Sequence, residues 1–181
     1  MKIAGKFEKI SKEQFVKDWR KTFKMETEDE ELQKTWDEYL GSLYEDIKIP
    51  KRATTGSAGY DLFAPITISL HKGESMVIPT GIRVKLNEGW MLKLFPRSGL
   101  GFNFRLQIDN TVGIIDQDYY FSDNEGHIFV KITNDSKIDT FCHIEKGKGF
   151  AQAIFEEFGI TEDDDTTGIR NGGFGSTTKE G

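Results

Sequence analysis

The N-terminal part of the chain carries apolar residues at the spacing of amphipathic helices. The stretch SKEQFVKDWRKTFK places Phe15, Trp19 and Phe23 at four-residue intervals, which lays them along one helix face. Ser11 and Gln14 form a Ser-x-x-Gln capping-box pattern at its start. The spacing therefore predicts a short helix that begins after Ser11.

A second helix is predicted to begin at Thr27, because Glu30 stands three residues later in the same capping pattern. Two helices so close in sequence are typical of a hairpin, and we expect residues 1–43 to form a helical extension. The apolar residues of the second helix fall mostly on one face and are Leu32, Trp36, Tyr39, Leu40 and Leu43.

From about residue 45 the apolar residues recur at every second position, which is typical of strands. The segments IRVKL and WMLKL alternate in this way on either side of the turn NEG and predict a hairpin over residues 82–94. ITISL, HIFVKI and FAQAIF supply further short strands. We expect residues 44–160 to form one all-β domain, a sandwich or jelly roll.

The C-terminal stretch differs in composition from the rest of the chain. TEDDDTT is acidic and GIRNGGFGSTTKEG is rich in glycine, so neither can bury enough apolar surface to offset the entropy lost on ordering. Residues 161–181 are therefore predicted to be a mobile arm that becomes ordered when something binds.

The charge of the chain limits its partners. A net charge of -6 and a pI of about 5.2 argue against nucleic acid as the main partner, although a small basic pocket can still bind a small anion. Cys142 is the single cysteine, so no intrachain disulfide can form. We found neither a signal peptide's apolar stretch nor an apolar run of the roughly 18 residues that cross a membrane, and we expect a cytoplasmic protein.

The segment FPRSGLG presents candidate phosphate ligands directly after a predicted strand. Its residues Arg97, Ser98 and Gly99 combine a guanidinium and a hydroxyl, which bind phosphate oxygens, with a glycine that lets backbone N–H groups approach them. A plain turn explains the same three residues equally well.

The segment TVGIIDQDYY ends an apolar strand, residues 112–115, with Asp116, Asp118 and Tyr119. A carboxylate held at a strand end can polarise water, and an aromatic ring close by can stack against a sugar. The alternative is that these acids end the strand in solvent.

Two polar side chains stand within otherwise apolar strands. Gln152 in FAQAIF and Asp61 in AGYDLF need hydrogen-bond partners if they are buried. Gln152 either binds a ligand or bonds to the backbone, and Asp61 either is satisfied internally or holds a water near a metal.

Five segments, taken in order, resemble the motifs of a known enzyme family. They are similar in sequence and spacing to the five motifs of the trimeric deoxyuridine triphosphate nucleotidohydrolases, the dUTPases, and the resemblance runs from about Tyr44 to Thr178. The segments are AGYDL, PRSGLG, NTVGIIDQDY, GFAQAIF and RNGGFGST.

The resemblance implies a β jelly roll that assembles as a homotrimer, in which each of three active sites draws motifs from all three subunits. It also implies Mg²⁺-dependent hydrolysis of dUTP to dUMP and pyrophosphate by attack of water on the α-phosphorus, which keeps uracil out of DNA and supplies dUMP for thymidylate synthesis. Asp116 would orient and deprotonate the water, and Asp61 would at most hold a water of the metal. Phosphate oxygens would be held by Arg97, Ser98 and Gln152.

The resemblance further assigns the nucleoside contacts. Asn110, with backbone groups at Ile114 and Ile115, would read the polar edge of uracil, and Phe129 would add a backbone contact. Tyr119 would pack against the deoxyribose and leave no room for a 2'-hydroxyl.

The glycine-rich end resembles the arm that crosses to a neighbouring subunit and closes over the nucleotide. In that arrangement Phe174 would stack on the uracil ring and Arg170 would clamp the phosphates. Glycines such as Gly175 would let the loop approach the ligand closely.

Four features depart from the usual family pattern. The stretch YFSDNE separates Tyr119 from Gly126, so the third motif is followed by a longer hairpin at residues 120–126. Gly149 stands where an arginine is common, and Arg170 lies one residue nearer to the glycines. The N-terminal helices have no counterpart in the minimal family, and these helices and the longer hairpin are the surfaces that we expect a protein partner to use.

Two other functions fit parts of the same sequence. The dCTP deaminases share the fold but carry a glutamate after the third motif's aspartate, and the sequence DQDY fits the hydrolase better. A purely regulatory protein would use the helices as a docking surface, yet it would not need Arg97, Asp116 and Gln152 together. The sequence therefore favours the hydrolase.

Overall fold

The computed structural model describes residues 2–168, a mainly β structure with three α-helices and one short 3₁₀ helix. The N-terminal part holds β1 (Gly5–Lys9), α1 (Lys12–Phe23) and α2 (Glu30–Glu45). The strands that follow are β2 (Lys51–Arg52), β3 (Tyr60–Phe63), β4 (Ile68–Leu70), β5 (Ser75–Pro79), β6 (Ile82–Leu86) and β7 (Trp90–Pro96). Helix α3 (Ser98–Phe104), β8 (Leu106–Ile108), β9 (Gly113–Ile115), the 3₁₀ helix (Gln117–Phe121), β10 (Phe129–Asn134), β11 (Cys142–Ile144) and β12 (Gly149–Glu157) complete the order.

The strands form several small antiparallel sheets, as expected for a jelly roll. The largest has the order β2-β3-β12-β7-β9, and a three-stranded sheet has the order β5-β10-β8. Two further pairs are β1 with β6 and β4 with β11. The longest ladder joins β12 to β7, from Ala151 opposite Pro96 to Glu157 opposite Trp90.

The hairpin predicted over residues 82–94 is wrong in its pairing. A turn does form at Asn87 and Gly89, but β6 pairs with β1, and β7 pairs with β12 and β9. The turn itself is bound by other segments, since the Asn87 backbone N–H donates to Ala4 and the Gly89 carbonyl accepts from Phe158. Nonlocal partners therefore separate the two strands, and β1 is an element that the periodicity did not predict.

Helix α1 begins where the capping pattern predicts. The Ser11 hydroxyl accepts a hydrogen bond from the Gln14 backbone N–H at 3.1 Å, and the helix ends at Lys24 in a left-handed conformation with φ 52°. Phe15 and Trp19 are buried on its inner face, and the Trp19 indole donates to the Pro79 carbonyl at 3.1 Å. This hydrogen bond attaches helix α1 to β5 of the three-stranded sheet.

The predicted start of the second helix at Thr27 is wrong by two residues. Asp29 caps α2, because its carboxylate accepts from the backbone N–H groups of Glu31 and Leu32 at 3.0 and 3.1 Å. An aspartate satisfies two unpaired N–H groups at once, which favours it as the cap. The predicted apolar face of α2 is also only partly buried: Leu40 and Leu43 are buried, whereas Leu32 and Tyr39 are exposed.

Apolar residues collect in two cores. One fills the β body, and Cys142 lies within it as a free thiol whose pKa is raised by burial. The other joins α1 and α2 to the body through Ile10, Phe15, Trp19, Leu40 and Leu43. Within residues 2–168 no helix is long and apolar enough to cross a membrane.

Phe15→Ala should lower the free energy of unfolding by about 3–5 kcal/mol, because it removes a fully buried ring from the helical core. Tyr39→Ala is the matched control, since Tyr39 is an aromatic residue on α2 that is 51% exposed, and it should change stability by no more than about 0.5 kcal/mol. Urea denaturation measures both values. Equal losses in the two variants would show that the core is assigned wrongly.

Candidate active site

Asp61 and Gln152 lie side by side in the largest sheet. In the ladders of β12, Gln152 pairs with Asp61 of β3 on one side and with Phe95 of β7 on the other. Its side-chain amide donates to the Pro96 carbonyl at 3.0 Å, so Gln152 bonds to the backbone, which is one of the two alternatives given for it above. Gly59 makes room for this side chain, because a Cβ there would lie 2.5 Å from the Gln152 Oε1.

Arg97 follows β7 and turns its side chain towards β3. Its Nε lies 3.0 Å from the Asp61 carboxylate, and its Nη1 donates to the Gly149 carbonyl at 3.2 Å. A Cβ on Gly149 would lie 3.0 Å from this Nη1, so a side chain at position 149 would crowd the guanidinium. Because the Arg97 side chain remains 42% exposed, the guanidinium is both fixed and accessible to an anion.

The Arg97-Ser98-Gly99 segment starts a helix and is not a plain turn. Arg97 is the extended cap residue of α3, and the Gly101 N–H donates to its carbonyl at 2.9 Å. The first turn of a helix leaves backbone N–H groups without helical acceptors. Arg97, Ser98, Gly99 and Lys148 line an open cleft of about 530 Å³, which combines two cationic side chains with this helix start.

The predicted uracil segment begins at a tight turn. Thr111 has a left-handed conformation with φ 65°, and its N–H donates to the Ile108 carbonyl while the Val112 N–H donates to Asn110. The flanking strands do not form a paired hairpin in the part of the chain that the structure describes, because β8 pairs with β10 and β9 pairs with β7. Ile114 is 52% exposed and lies opposite Lys93.

Asp109 anchors this turn from its N-terminal side. Lys131 lies 2.6 Å from its carboxylate, and the Thr133 hydroxyl also donates to it. Burial would raise the pKa of Asp109, but the hydrogen bonds from Lys131 and Thr133 hold the pKa below the usual value. The residue next to Asn110 is therefore fixed in its charged form.

Asp116 and Tyr119 follow β9 in a 3₁₀ helix. Asp116 is the extended cap residue, and its carbonyl accepts from the Tyr119 N–H at 3.2 Å. Tyr119 is buried, and its hydroxyl donates to the His127 carbonyl at 2.7 Å. Phe129 starts β10, two residues after His127, and lies opposite Pro79.

The candidate residues form two separate groups within one chain. Asp116 follows Ile115, which lies opposite Leu92, whereas Arg97 follows Pro96 at the far end of β7. The levels of Asp116 and Arg97 along β7 thus differ by about six residues, or roughly 20 Å at the rise of an extended strand. That separation is longer than a triphosphate chain.

The sequence comparison decides the family. A family model for dUTPase matches residues 45–178. The chain belongs to the dUTPase family. A deoxyuridine 5'-triphosphate nucleotidohydrolase of Lactococcus lactis subsp. lactis (strain IL1403) is 42% identical to it over 134 residues, which are 72% of this chain and 88% of that protein.

Solved dUTPase structures share the fold. The crystal structure of dUTPase from Streptococcus mutans matches with a TM-score of 0.56 and 36% identity, covering 63% of this chain and 88% of that one. A mutant dUTPase from phage phi11 of S. aureus, whose structure reveals the coordination of a structural Mg(II) ion, matches with a TM-score of 0.55, covering 68% of this chain and 92% of that one. At 24% identity this second likeness supports the fold alone.

Arg170, Phe174 and Gly175 of the predicted dUTPase arm lie outside the described residues. Between residues 2 and 168 there is no cluster of three or more His, Cys, Asp or Glu side chains that could hold a metal ion. Sequence reasoning missed Gly59, which the first dUTPase motif AGYDL contains, and His127, for which no local pattern gave a signal.

Asp109→Asn should flatten the acid side of the stability profile. Because the folded-state pKa of Asp109 is lowered, its charge stabilises the fold above the unfolded pKa of about 3.9, and this contribution is lost as pH falls through the folded value. Unfolding free energies from urea titrations at pH 7 and pH 3 should differ less in the variant than in the parent, because pH 3 lies below the unfolded pKa of about 3.9. Asp123→Asn, at an exposed position, should keep the parental difference, and an unchanged difference in Asp109→Asn would contradict the assignment.

Proposed function

We propose that the protein hydrolyses dUTP to dUMP and pyrophosphate, and so keeps uracil out of DNA and supplies dUMP for thymidylate synthesis. The observation that carries this function is the dUTPase match over residues 45–178, with a named nucleotidohydrolase 42% identical to the chain. The described site agrees with it, because an accessible guanidinium and a helix start line a cleft of suitable chemistry.

Arg97, Ser98, Gly99 and Gln152 bind the triphosphate in this proposal. Asp61 holds the Arg97 guanidinium in place before substrate arrives, and a fixed guanidinium loses less entropy when it binds phosphate. The Ser98 hydroxyl and the N–H groups of the first turn of α3 add donors at the same cleft. Gln152 lies beside this group through its bond to Pro96.

Magnesium fits this site as a metal held mainly by the substrate. The described residues offer no carboxylate cluster, and Asp61 is engaged by Arg97, so its carboxylate would at most accept hydrogen bonds from the metal's waters. Mg²⁺ usually keeps several waters and binds phosphates through few protein ligands. When bound, it would spread the negative charge of the triphosphate.

Asp116 is the proposed general base. It accepts a proton from a water whose oxygen forms a bond to the α-phosphorus, while the bond between that phosphorus and the bridging oxygen breaks and pyrophosphate leaves. The position of Asp116 as a cap residue at the end of β9 supports this role, because the strand and the 3₁₀ helix both fix its backbone.

The base and sugar contacts follow the order of the chain from Asn110 to Phe129. Strand β9 is the last strand of its sheet within residues 2–168, and backbone groups at Ile114 and Ile115 are proposed to bind the polar edge of uracil. Asn110 at the preceding turn and the backbone of Phe129 complete the proposed pocket. Tyr119 packs against the deoxyribose and excludes a 2'-hydroxyl.

A homotrimer with shared sites accounts for the distance between the two groups. One chain separates Asp116 from Arg97 by roughly 20 Å along β7, so neither group alone surrounds a nucleotide. We propose that Asp116 and Arg97 of one site come from different subunits. Residues 161–181 form the arm that closes it, with Phe174 on the uracil, Arg170 on the phosphates and Gly175 in the loop.

The remaining parts of the chain are proposed to serve assembly and partner binding. Residues 1–43 are a helical extension of the β domain, residues 44–160, although β1 within the extension pairs with β6 of the domain. Exposed Tyr39 and Phe121 support a protein partner at the helices or at residues 120–126. We place the protein in the cytoplasm, where its nucleotide substrate is found.

The decisive experiment is pyrophosphate release with Mg²⁺ from dUTP, dCTP, dTTP and UTP in parallel. We expect release from dUTP, and a loss of about a thousandfold or more in Asp116→Asn, because the base is removed while its shape is kept. Ammonia release from dCTP would instead identify a deaminase. No reaction with any of the four would contradict the proposed function.

Shared sites can be tested by mixing two inactive variants. Asp116→Asn and Arg97→Ala are refolded together in equal amounts, so that some sites receive Asp116 from one variant and Arg97 from the other. If the two residues come from different subunits, about one quarter of parental activity should return by random assembly. Each variant refolded alone is the control, and a mixture as inactive as its components would show that both residues act within one chain.

A further inference from the structure

Helix α1 contacts the loop of residues 120–127, which follows the third dUTPase motif. The Ser11 backbone N–H donates to one carboxylate oxygen of Glu125 at 2.8 Å, and its hydroxyl donates to the other at 2.6 Å. Glu125 has a left-handed conformation with φ 59°, which an L-residue adopts only when other contacts stabilise it. The residue that caps α1 therefore also fixes the end of this loop.

A buried pair makes the second connection between α1 and the loop. His127 is fully buried, and its Nδ1 lies 2.6 Å from the Asp18 carboxylate of α1 while its Nε2 accepts from the Gly81 backbone N–H at 2.8 Å. Acceptance at Nε2 places the single proton of the neutral ring on Nδ1, which donates to Asp18. Both ring nitrogens are used, so the imidazole has one orientation.

The backbone of His127, whose side chain is fixed in this way, also contacts Tyr119. The His127 carbonyl accepts from the Tyr119 hydroxyl at 2.7 Å and from the Asn124 amide at 3.3 Å. The same Asn124 amide donates to the Tyr119 hydroxyl at 2.9 Å. The position of the phenol is thus set by two groups of the loop, and the His127 carbonyl is the one that α1 fixes through Asp18.

We propose that Asp18, acting through His127, is a positioning residue for Tyr119, so that helix α1 sets the discrimination between dUTP and UTP. The proposal rests on the proposed function, in which Tyr119 packs against the deoxyribose. Exclusion of a 2'-hydroxyl by a ring is a matter of fit, and it is lost when the ring can move by a fraction of an ångström. The N-terminal helices are then part of the specificity apparatus and do more than bind a partner.

Removal of the Asp18 carboxylate should loosen this arrangement. The buried Nδ1–H of His127 would lose its partner, and an unsatisfied buried donor drives the ring to shift or to admit water. The carbonyl of the same residue would move with it, and the Tyr119 ring would gain freedom. We expect the ratio of kcat/KM for dUTP to that for UTP to fall about tenfold in Asp18→Ala.

Two variants separate positioning from general destabilisation. Asp18→Asn keeps an oxygen that accepts from His127, and it should restore the ratio to within about twofold of the parent. Trp19→Phe removes the neighbouring hydrogen bond from α1 to Pro79 without touching His127, and it should also keep the parental ratio while lowering the melting temperature. A parental ratio in folded Asp18→Ala, or an equal fall in Trp19→Phe, would overturn the proposal.

Hydrogen exchange measured by mass spectrometry on the free protein gives a second readout. Residues 119–127 should exchange faster in Asp18→Ala than in the parent, but not in Trp19→Phe. If Asp18→Ala does not fold, Asp18→Ser replaces it with the same expected results, since its shorter hydroxyl cannot reach the imidazole. A parent without dUTP hydrolysis would contradict the proposed function, whereas unchanged exchange in the Asp18 variant would contradict this inference alone.

Discussion

The two ladders of β12 are the constraint on which the grouping of Arg97, Asp61 and Gln152 depends. Gln152 stands in β12 between Asp61 on one neighbour and the end of the other neighbour, from which Arg97 extends. A slip of one residue in the ladder with β3 would place Asp61 on the face opposite Gln152. Gly59 and Gly149 are small because the side chains of this group occupy the space that a Cβ would need. The proposed chemistry is therefore built on sheet register more than on loop conformation.

Local sequence patterns predicted most of the helices and strands, but contacts between distant residues decide which strands pair. The alternation that marks β6 and the capping signal at Ser11 are properties of a few consecutive residues, and the structure contains both elements. The choice of β1 as the partner of β6 depends on residues far away in sequence, so the hairpin expected from the NEG turn did not form. The cap of α2 is Asp29 and not Thr27, because the Asp29 carboxylate accepts from two N–H groups of the first turn, and Leu32 and Tyr39 lie outside the core.

The candidate site shows the same difference between residues that local motifs indicate and residues that only nonlocal contacts bring together. Arg97, Gln152 and Asp61 were predicted from their chemistry and from the family motifs, and they lie together, although their roles stay predictions. Asp18 and His127 were not predicted, because no local pattern links two residues 109 positions apart. Contacts of this kind join helix α1 to the loop that follows the third motif, and they become visible only when the fold brings the two together.

The pairing of β1 with β6 has a consequence for synthesis of the chain. β1 is synthesised before its partner, which begins at Ile82, so roughly 70 residues must follow before the strand can join a sheet. Helices α1 and α2 are made in between and can associate early, but their buried face, with Phe15 and Trp19, packs partly on segments made later. Until these later segments are made, the nascent chain exposes an unpaired strand and an apolar helix face.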